Sequence, residues 1–216
     1  GMYVIKRGLK KDDSEMLDEG WQMLERNLTK TTSLVRDFLS FAKGRLPELK
    51  MVDPHRLVQE IVDLYGPIAS QIGVDLKAQQ GKKVRKAPLD PEGIHTCLTN
   101  LVSNAIDACR MSEDKDGQVT IRISDTKAGL CLAVKDNGIG MDSDIKSKVF
   151  TTFFTTKGGQ GTGLGLLTTR KIVKEHGGRI EMSSQKGKGS QFRLIFPRDR
   201  LNALYQEEQN TQKPKE

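Results

Sequence analysis

Four short segments, taken in chain order, decide the fold of this protein: NLVSNA at residues 100–105, DNGIG at 136–140, TTK at 155–157 and GTGLG at 161–165. An asparagine on a helix can bind a metal ion, and an aspartate after a strand can bind a nucleobase. A glycine-rich turn before a helix can bind phosphates through its backbone N–H groups. Each segment alone is a weak signal, but their order predicts a nucleotide-binding pocket.

At these segments the chain resembles the ATP-binding domain of sensor histidine kinases. That domain belongs to the superfamily shared with DNA gyrase, the heat-shock chaperone ATPase and MutL-type repair proteins. The resemblance covers residues 52–197 and includes the N, G1, F and G2 boxes of the superfamily in order. A full set of motifs is more specific than any single one. It implies an ATP-dependent protein-histidine kinase of a two-component system, with ATP and Mg²⁺ as cofactors.

Length and composition narrow the class of protein. The 216 residues are enough for one domain and an appendage. No apolar run reaches the roughly 18 residues of a membrane span, and no secretory signal is visible. We therefore predict a cytoplasmic piece of a larger protein, with membrane association only through parts outside this chain.

The net charge of +7 raises the question of nucleic acid as a partner. Lysines are dispersed along the chain and aromatic residues make up only 5% of it, so we predict no nucleic-acid binding. A basic surface suits a polyphosphate or an acidic protein equally well. The three cysteines, Cys97, Cys109 and Cys131, lack metal-ligand spacing and are predicted to be buried free thiols.

A heptad pattern marks the N-terminal region. Apolar or small residues from Leu17 to Ala42 alternate in steps of four and three, which predicts a helix that packs along another helix. The alternative is a helix that lies on its own domain. The resemblance implies that residues 1–45 are the C-terminal part of a dimerisation helical hairpin, and that a homodimer forms through these helices.

The resemblance also implies a phosphorylated histidine on the first helix of that hairpin. None of the histidines of this chain, His55, His95 and His176, lies in such a motif. We therefore expect the acceptor-histidine helix to be missing from this chain and to act as a partner, so that the fragment does not phosphorylate itself. A response regulator receiver domain is the expected recipient of the phosphoryl group.

Hydrophobic periodicity and turn residues predict the elements of the remaining chain. The expected helices cover residues 54–72, 91–111, 144–149 and 162–176. The expected strands cover residues 51–53, 74–78, 82–87, 119–125, 130–136, 179–185 and 190–196. This pattern predicts an α+β fold: a two-layer α/β sandwich with a mixed, mostly antiparallel sheet covered by helices on one face, preceded by the long coiled-coil-like helix. We assign residues 46–198 to the ATP-binding catalytic domain and 199–216 to a loose polar tail.

Two asparagines one helical turn apart are the first candidate site residues. The resemblance makes Asn104 the Mg²⁺ ligand, and a neutral amide oxygen is a hard donor that suits this ion. Hydrolytic members of the superfamily carry Glu at position 100 to activate water, whereas the amide of Asn100 cannot take a proton. This favours phosphoryl transfer to a protein. The predicted catalytic residues are Asn100, Asn104 and Lys157.

The remaining motifs predict how the nucleotide binds. The carboxylate of Asp136 can accept a hydrogen bond from the amino group of adenine, which favours ATP over GTP. Asp107 stands where many kinases carry Lys, and Arg110 or Lys157 could supply the phosphate contact instead. The predicted ATP-binding residues are Asn104, Asp107, Ala108, Asp136, Gly138, Ile139, Gly140, Met141, Phe153, Thr156, Lys157, Gly161, Thr162, Gly163, Leu164, Gly165 and Ser190.

Three alternative functions remain open. The chain could be an ATPase of the same superfamily, a serine kinase of the anti-sigma type, or a regulatory module that only binds nucleotide. Asn100 argues against the ATPase, the heptad helix argues against the serine kinase, and the full set of motifs argues against the regulatory module.

Overall fold

The computed structural model describes residues 1–42, 47–81, 83–112, 116–151, 154–155 and 162–211. The helices are α1 (Met2–Lys11), α2 (Ser14–Ala42), α3 (Pro54–Gln71), α4 (Pro91–Arg110), α5 (Ser143–Lys148), α6 (Gly165–Glu175) and α7 (Arg198–Thr211). The strands are β1 (Lys50–Val52), β2 (Val74–Gln80), β3 (Ala87–Leu89), β4 (Gly117–Thr126), β5 (Gly129–Asp136), β6 (Arg179–Gln185) and β7 (Gly189–Phe196).

One mixed sheet carries the domain. Its strands follow the order β2-β4-β5-β7-β6. β2 runs parallel to β4, whereas the other neighbours are antiparallel. β1 and β3 form a separate antiparallel pair, and helices α3, α4 and α6 pack against the main sheet. The predicted α+β sandwich with a mixed, mostly antiparallel sheet is confirmed.

Helix α4 is the centre of the core because its apolar residues recur at helical spacing. Asp90 caps the helix by accepting the N–H of Glu92 at 3.2 Å, and Pro91 occupies the first turn. The buried face of α4 consists of Ile94, Cys97, Leu98, Leu101, Val102, Ala105, Ile106 and Cys109. Burial of that face on the sheet leaves the polar side of the same helix, with Asn100 and Asn104, for the site.

Helices α1 and α2 form a closely packed hairpin. The carboxylate of Asp13 caps α2 by accepting the N–H of Met16 at 3.0 Å. Gly20 permits the close approach, since a Cβ there would lie 2.7 Å from Cγ1 of Ile5. Several heptad side chains stay exposed in the single chain, among them Trp21 at 63% and Leu28 at 64%. Helix α2 spans Ser14–Ala42, and its coiled-coil packing along a second helix pair stays a prediction.

Two predicted elements begin later than expected. β3 starts at Ala87, after described residues 83–86, because the carbonyls of Arg85 and Lys86 accept hydrogen bonds from the guanidinium of Arg198 at 2.9 and 2.7 Å. Residue 82, where the strand was expected to begin, lies outside the described residues. Helix α6 starts at Gly165, not at residue 162. Gly163 has a φ of +67°, which is incompatible with a right-handed helix.

The prediction of a loose polar tail is wrong for residues 199–211, which belong to α7 (Arg198–Thr211). Leu201 in this helix is fully buried. Arg198 forms an ion pair with Asp125 at 2.6 Å. Burial alone would raise the pKa of Asp125, but the hydrogen bonds and charges of Arg198 and Arg85 lower it below its ordinary value. One buried leucine and one arginine thus anchor a helix whose composition is mostly polar.

The last turns of α7 contact the segment that precedes β1. The backbone N–H of Leu49 donates to the Glu208 carboxylate at 3.0 Å, and Leu49 itself is buried. The predicted domain boundary at residues 45 and 46 lies outside the described residues. No helix in the described part of the chain is both long and apolar enough to cross a membrane.

Candidate nucleotide-binding site

A cavity of about 590 Å³ opens between α4, the start of α6 and strands β5 and β7. Of the predicted site residues, those that line it are Asn100, Asn104, Asp107, Ala108, Asp136, Ile139, Gly140, Met141, Thr162, Gly163, Gly165 and Ser190. Gly138 instead lies against the backbone of Ala108, and Leu164 is buried as a packing residue. Four further predicted residues lie outside the described part of the chain: Phe153, Thr156, Lys157 and Gly161.

Asp136 ends β5 at the floor of the cavity and is only 5% exposed. Its Oδ1 accepts the backbone N–H groups of Gly138 at 2.9 Å and Ser190 at 3.1 Å. Burial raises the pKa of Asp136, and the two backbone hydrogen bonds oppose that rise only in part. These two bonds fix the orientation of the carboxyl group. The group is thus placed to accept a hydrogen bond from a donor on a ligand.

Two glycines allow the surrounding loops to meet backbone to backbone. Gly140 has a φ of +60°, and a Cβ there would lie 2.0 Å from the carbonyl oxygen of Gln185. Gly189 has a φ of +88°, and a Cβ there would lie 2.1 Å from the carbonyl oxygen of Asp136. Both positions therefore require glycine for conformation and for space. The β6–β7 hairpin closes this side of the cavity.

A pair of serine hydroxyls backs the same wall. Ser184 and Ser190 face each other in the β6–β7 register, and their Oγ atoms are 2.9 Å apart. Ser184 Oγ also accepts the N–H of Met141 at 2.8 Å and donates to the carbonyl of Gly189 at 3.0 Å. Ser184 thus connects the hairpin to the loop that follows β5.

On the opposite wall, side chains join α4 to α6. The amide nitrogen of Asn100 donates to the carbonyl of Gly165 at 3.0 Å and lies 3.4 Å from the hydroxyl of Thr169. That hydroxyl donates to the same carbonyl at 2.9 Å. The amide of Asn100 therefore holds the first turn of α6 at the cavity, which is a positioning role that the motif alone does not reveal.

Cys97 continues this seam. Its thiol donates to the carbonyl of Thr169, with sulfur and oxygen 3.8 Å apart. Complete burial raises the pKa of the Cys97 thiol far above its ordinary value, so the thiol stays protonated. The three cysteines are free and buried, as the sequence predicts.

His176 closes the far end of the seam and is fully buried. The N–H of Asp90 donates to its Nε2 at 3.0 Å, and its Nδ1 lies 2.7 Å from the carbonyl of Ile172. A neutral ring that carries its proton on Nδ1 satisfies both contacts. Burial lowers the pKa of His176. Both ring nitrogens are therefore engaged in structural hydrogen bonds.

Asn104 and Asp107 follow Asn100 along the cavity face of α4. Asp107 Oδ1 lies 3.3 Å from a guanidinium nitrogen of Arg110, which is half exposed. This pair offsets the negative charge of Asp107 where the resemblance leads one to expect a basic residue. Arg110 also lines the cavity, as required if it is to contact a phosphate.

The turn before α6 is stabilised by contacts within residues 162–164. The N–H of Leu164 lies 3.4 Å from the Thr162 hydroxyl, and Gly163 takes the left-handed conformation. Leu164 is 1% exposed and anchors the turn in the core. The first turn of α6 thus presents its backbone to the cavity at Gly165.

Sequence reasoning did not single out several residues in and around the site, and two of them are instructive. Tyr65 of α3 lines the cavity, but no motif distinguishes it from other partly buried helix residues. Ser184 carries a signal that could have been used. In a hairpin centred on Gly187, position 184 pairs with position 190, so the two serines had to be neighbours.

Comparison with known proteins agrees with this arrangement. Residues 89–200 match the family described as histidine kinase-, DNA gyrase B-, and HSP90-like ATPase. Over 176 residues the chain is 32% identical to the sensor histidine kinase ZraS of Escherichia coli strain K12. The aligned region covers 82% of this chain and 37% of ZraS. The chain therefore spans little more than a third of the length of this curated relative.

Solved structures show the same domain. The catalytic domain of histidine kinase ThkA is similar with a TM-score of 0.62 and 30% identity, over 70% of this chain and 96% of that one. Histidine kinase ThkA in complex with the response regulator protein TrrA is similar with a TM-score of 0.66 and 26% identity, over 88% of this chain and 51% of that one. The chain thus belongs to the histidine kinase-, DNA gyrase B- and HSP90-like ATPase family, and it carries the ATP-binding catalytic domain of sensor histidine kinases.

Proposed function

We propose that the cavity binds ATP with the adenine against Asp136. The supporting observation is a buried carboxylate whose Oδ1 is held by two backbone N–H groups. Such a group recognises a hydrogen-bond donor, and the amino group of adenine is one. Guanine carries an oxo group at the corresponding position and would meet it with an acceptor. The triphosphate would then extend toward Asn104 and the start of α6, where the helix dipole favours negative charge.

Asn104 is the proposed ligand for Mg²⁺. Among the described residues, no group of three or more His, Cys, Asp or Glu could hold a metal ion. An amide oxygen on the cavity wall fits an ion that takes its remaining ligands from phosphates and water. When bound, the ion would neutralise charge on the phosphates. Asp107, which is paired with Arg110, is a proposed ATP-binding residue in the same region.

The proposed reaction is transfer of the γ-phosphoryl group to a histidine. A nitrogen of the acceptor imidazole forms the P–N bond, the bond to the β-phosphate oxygen breaks, and ADP leaves. The amide of Asn100 donates to Gly165 and cannot act as a base toward water, which favours transfer over hydrolysis. His176 is an unsuitable acceptor because both ring nitrogens are hydrogen-bonded in the core. We assign the acceptor to a helix outside residues 1–216.

We infer that residues 1–45 act as the dimerisation part, residues 46–198 as the catalytic domain and residues 199–216 as an appendage fastened through α7. Exposure of Trp21 and Leu28 on the hairpin supports a homodimer through α1 and α2. A response regulator receiver domain is the proposed recipient of the phosphoryl group, by analogy with the complex of ThkA and TrrA. The proposed setting is the cytoplasm, where ATP is available.

The reaction is tested in trans. The protein is incubated with ATP labelled on the γ-phosphate and with a separate dimerisation hairpin that carries an acceptor histidine. Acid-labile label should appear on the hairpin and not on this chain. Asn104→Ala should abolish the transfer. Thr96→Ala, on the same helix with a hydroxyl bonded to the carbonyl of Glu92, should leave transfer intact.

Two results would contradict the proposal. Label on the protein alone would show that one of its own histidines is an acceptor. Steady release of phosphate without label on the hairpin would show an ATPase.

The homodimer is tested by sedimentation velocity. Replacement of Trp21 and Leu28 together by Lys should shift the protein toward monomer. Leu64 and Ile68 of α3 are also about half exposed, and their replacement by Lys provides the matched control. Equal masses for all three proteins would contradict assembly through the hairpin.

A further inference from the structure

The hydroxyl of Ser184 makes three contacts, and these decide where its proton lies. A serine hydroxyl has one proton to donate and two lone pairs to accept with. The N–H of Met141, 2.8 Å away, can only donate, and the carbonyl of Gly189, 3.0 Å away, can only accept. The Ser190 hydroxyl, 2.9 Å away, can do either.

A single arrangement satisfies all three contacts at once. The Ser184 proton goes to the carbonyl of Gly189, and one lone pair accepts the N–H of Met141. The second lone pair must then accept the proton of Ser190. In the opposite arrangement Ser184 donates to Ser190 and gives up its bond to the Gly189 carbonyl. Gly189 is buried, so loss of the hydrogen bond to its carbonyl is costly.

The consequence concerns the side of Ser190 that meets the cavity. With its proton committed to Ser184, Ser190 Oγ can only accept there. The backbone N–H of Ser190 donates to Oδ1 of Asp136 at 3.1 Å, so the two residues are neighbours in the lining of the cavity. The floor of the cavity thus presents two neighbouring acceptors and no side-chain donor from this pair.

We propose that Ser184 is a positioning residue that fixes the Ser190 hydroxyl as an acceptor, so that the cavity selects a base with an amino group over one with an oxo group. The inference rests on the proposed function, since it assumes that the base lies against Asp136. It assigns to Ser184 a part in specificity, although Ser184 is separated from the cavity by Ser190. Without the hydrogen bond to Ser184, the Ser190 hydroxyl would be free to rotate and to donate to an oxo group beside Asp136.

Titration calorimetry with ADP and inosine diphosphate tests the inference, because these ligands differ at the amino and oxo position of the base. Wild-type protein should prefer ADP. Ser184→Ala should lower the ratio of the ADP affinity to the inosine diphosphate affinity about threefold or more, the scale of one neutral hydrogen bond. The change should come chiefly from tighter binding of inosine diphosphate. Ser183→Ala, at the exposed neighbouring position, should leave the ratio unchanged, and Ser184→Thr should restore it.

A second variant tests the inference independently of any folding defect in Ser184→Ala. Ser190→Ala removes the acceptor and should also lower the preference for ADP. In the double variant, loss of Ser184 should have no further effect on the ratio. Equal loss of affinity for both ligands in Ser184→Ala, or an unchanged ratio in Ser190→Ala, would overturn the inference. Wild-type protein that binds neither diphosphate would instead overturn the proposed function.

Discussion

The two walls of the cavity are held in different ways. On the base side, the loop after β5 and the β6–β7 hairpin meet backbone to backbone, so that Gly140 lies against Gln185 and Gly189 against Asp136. On the phosphate side, α4 and α6 are joined by side chains, through Asn100 at one end and His176 at the other. The base wall is therefore a fixed template, whereas the phosphate wall can lose single bonds without steric conflict.

This difference teaches where variation can be tolerated. A backbone contact leaves no room for a new atom, so a substitution that adds a side chain there should strongly destabilise the fold. A side-chain hydrogen bond can be removed at a cost of roughly 0.5–1.5 kcal/mol. Effects on folding should therefore be large at the base wall and graded at the phosphate wall.

The largest effect is expected from Gly140→Ala. The left-handed backbone and the overlap with Gln185 each cost about 1–3 kcal/mol, so the free energy of unfolding should fall by about 3 kcal/mol or more and ATP binding should be lost. Gly187→Ala is the matched control, since Gly187 has a φ of +75° but no atom within 4 Å of its added Cβ. Urea denaturation should show a loss of only about 1–2 kcal/mol for the control. Similar losses in the two variants would contradict a fixed base wall.

The next effect is expected from Asp136→Asn, which keeps the shape of the side chain. Binding of ATP should weaken by about 1–3 kcal/mol, the scale for loss of a charged hydrogen bond in a buried site, and the preference over GTP should shrink. Titration calorimetry measures both, with Asp144→Asn on the exposed side of α5 as the control. Wild-type protein that binds GTP as well as ATP would remove the base-recognition role of Asp136.

The pH dependence sharpens the same experiment. Since the pKa of Asp136 is raised by burial, its carboxyl group is protonated at a higher pH than an ordinary aspartate. ATP affinity of the wild-type protein should therefore fall as the pH is lowered through that range, while the affinity of the Asn variant should not follow.

On the phosphate wall, Asn100→Ala should cost about 1 kcal/mol of unfolding free energy, the value of one hydrogen bond. The loss is limited because Thr169 also donates to the carbonyl of Gly165. Phosphoryl transfer should fall more than nucleotide binding, since the start of α6 is no longer held against α4. Thermal denaturation and transfer assays on the same preparation measure the two effects. A loss as large as that of Gly140→Ala would erase the contrast between the walls.

The smallest effect is expected from titration of His176. Its folded pKa lies below the ordinary value of 6.5, so below pH 6.5 the unfolded state binds a proton that the native state does not. The contribution of the neutral His176 ring to stability is therefore complete above pH 6.5 and is lost as the pH falls toward the folded pKa. The free energy of unfolding should change with a slope below the limit of about 1.4 kcal/mol per pH unit. Urea denaturation from pH 7.5 to 5.5 should show this slope. His176→Gln should remove it, and His95→Gln should not.

What the sequence could predict follows from how local each feature is. Asp136 and the glycines after it form one turn, and their spacing alone predicts that turn. The start of α4 is equally local, because Asp90 and Pro91 determine it. These features depend on neighbours in the chain, and sequence patterns record such neighbours well.

The features that escaped prediction depend on distant partners. The amide of Asn100 bonds to a carbonyl 65 residues away, so its motif cannot reveal that contact. The order of α7 comes from Leu201 and Arg198, which act through a core and an ion pair invisible in a polar composition. The role of Ser184 appears only once the register of the hairpin is known.

The hydrogen bond between Leu49 and Glu208 also has a mechanical meaning. Leu49 precedes β1, and the hydrogen bond that joins it to α7 spans 159 residues of sequence. The ion pair of Arg198 with Asp125 joins the start of the same helix to the end of β4. Helix α7 is thus a brace that ties the segment before β1 to the main sheet, in addition to the direct contact of α2 with α6.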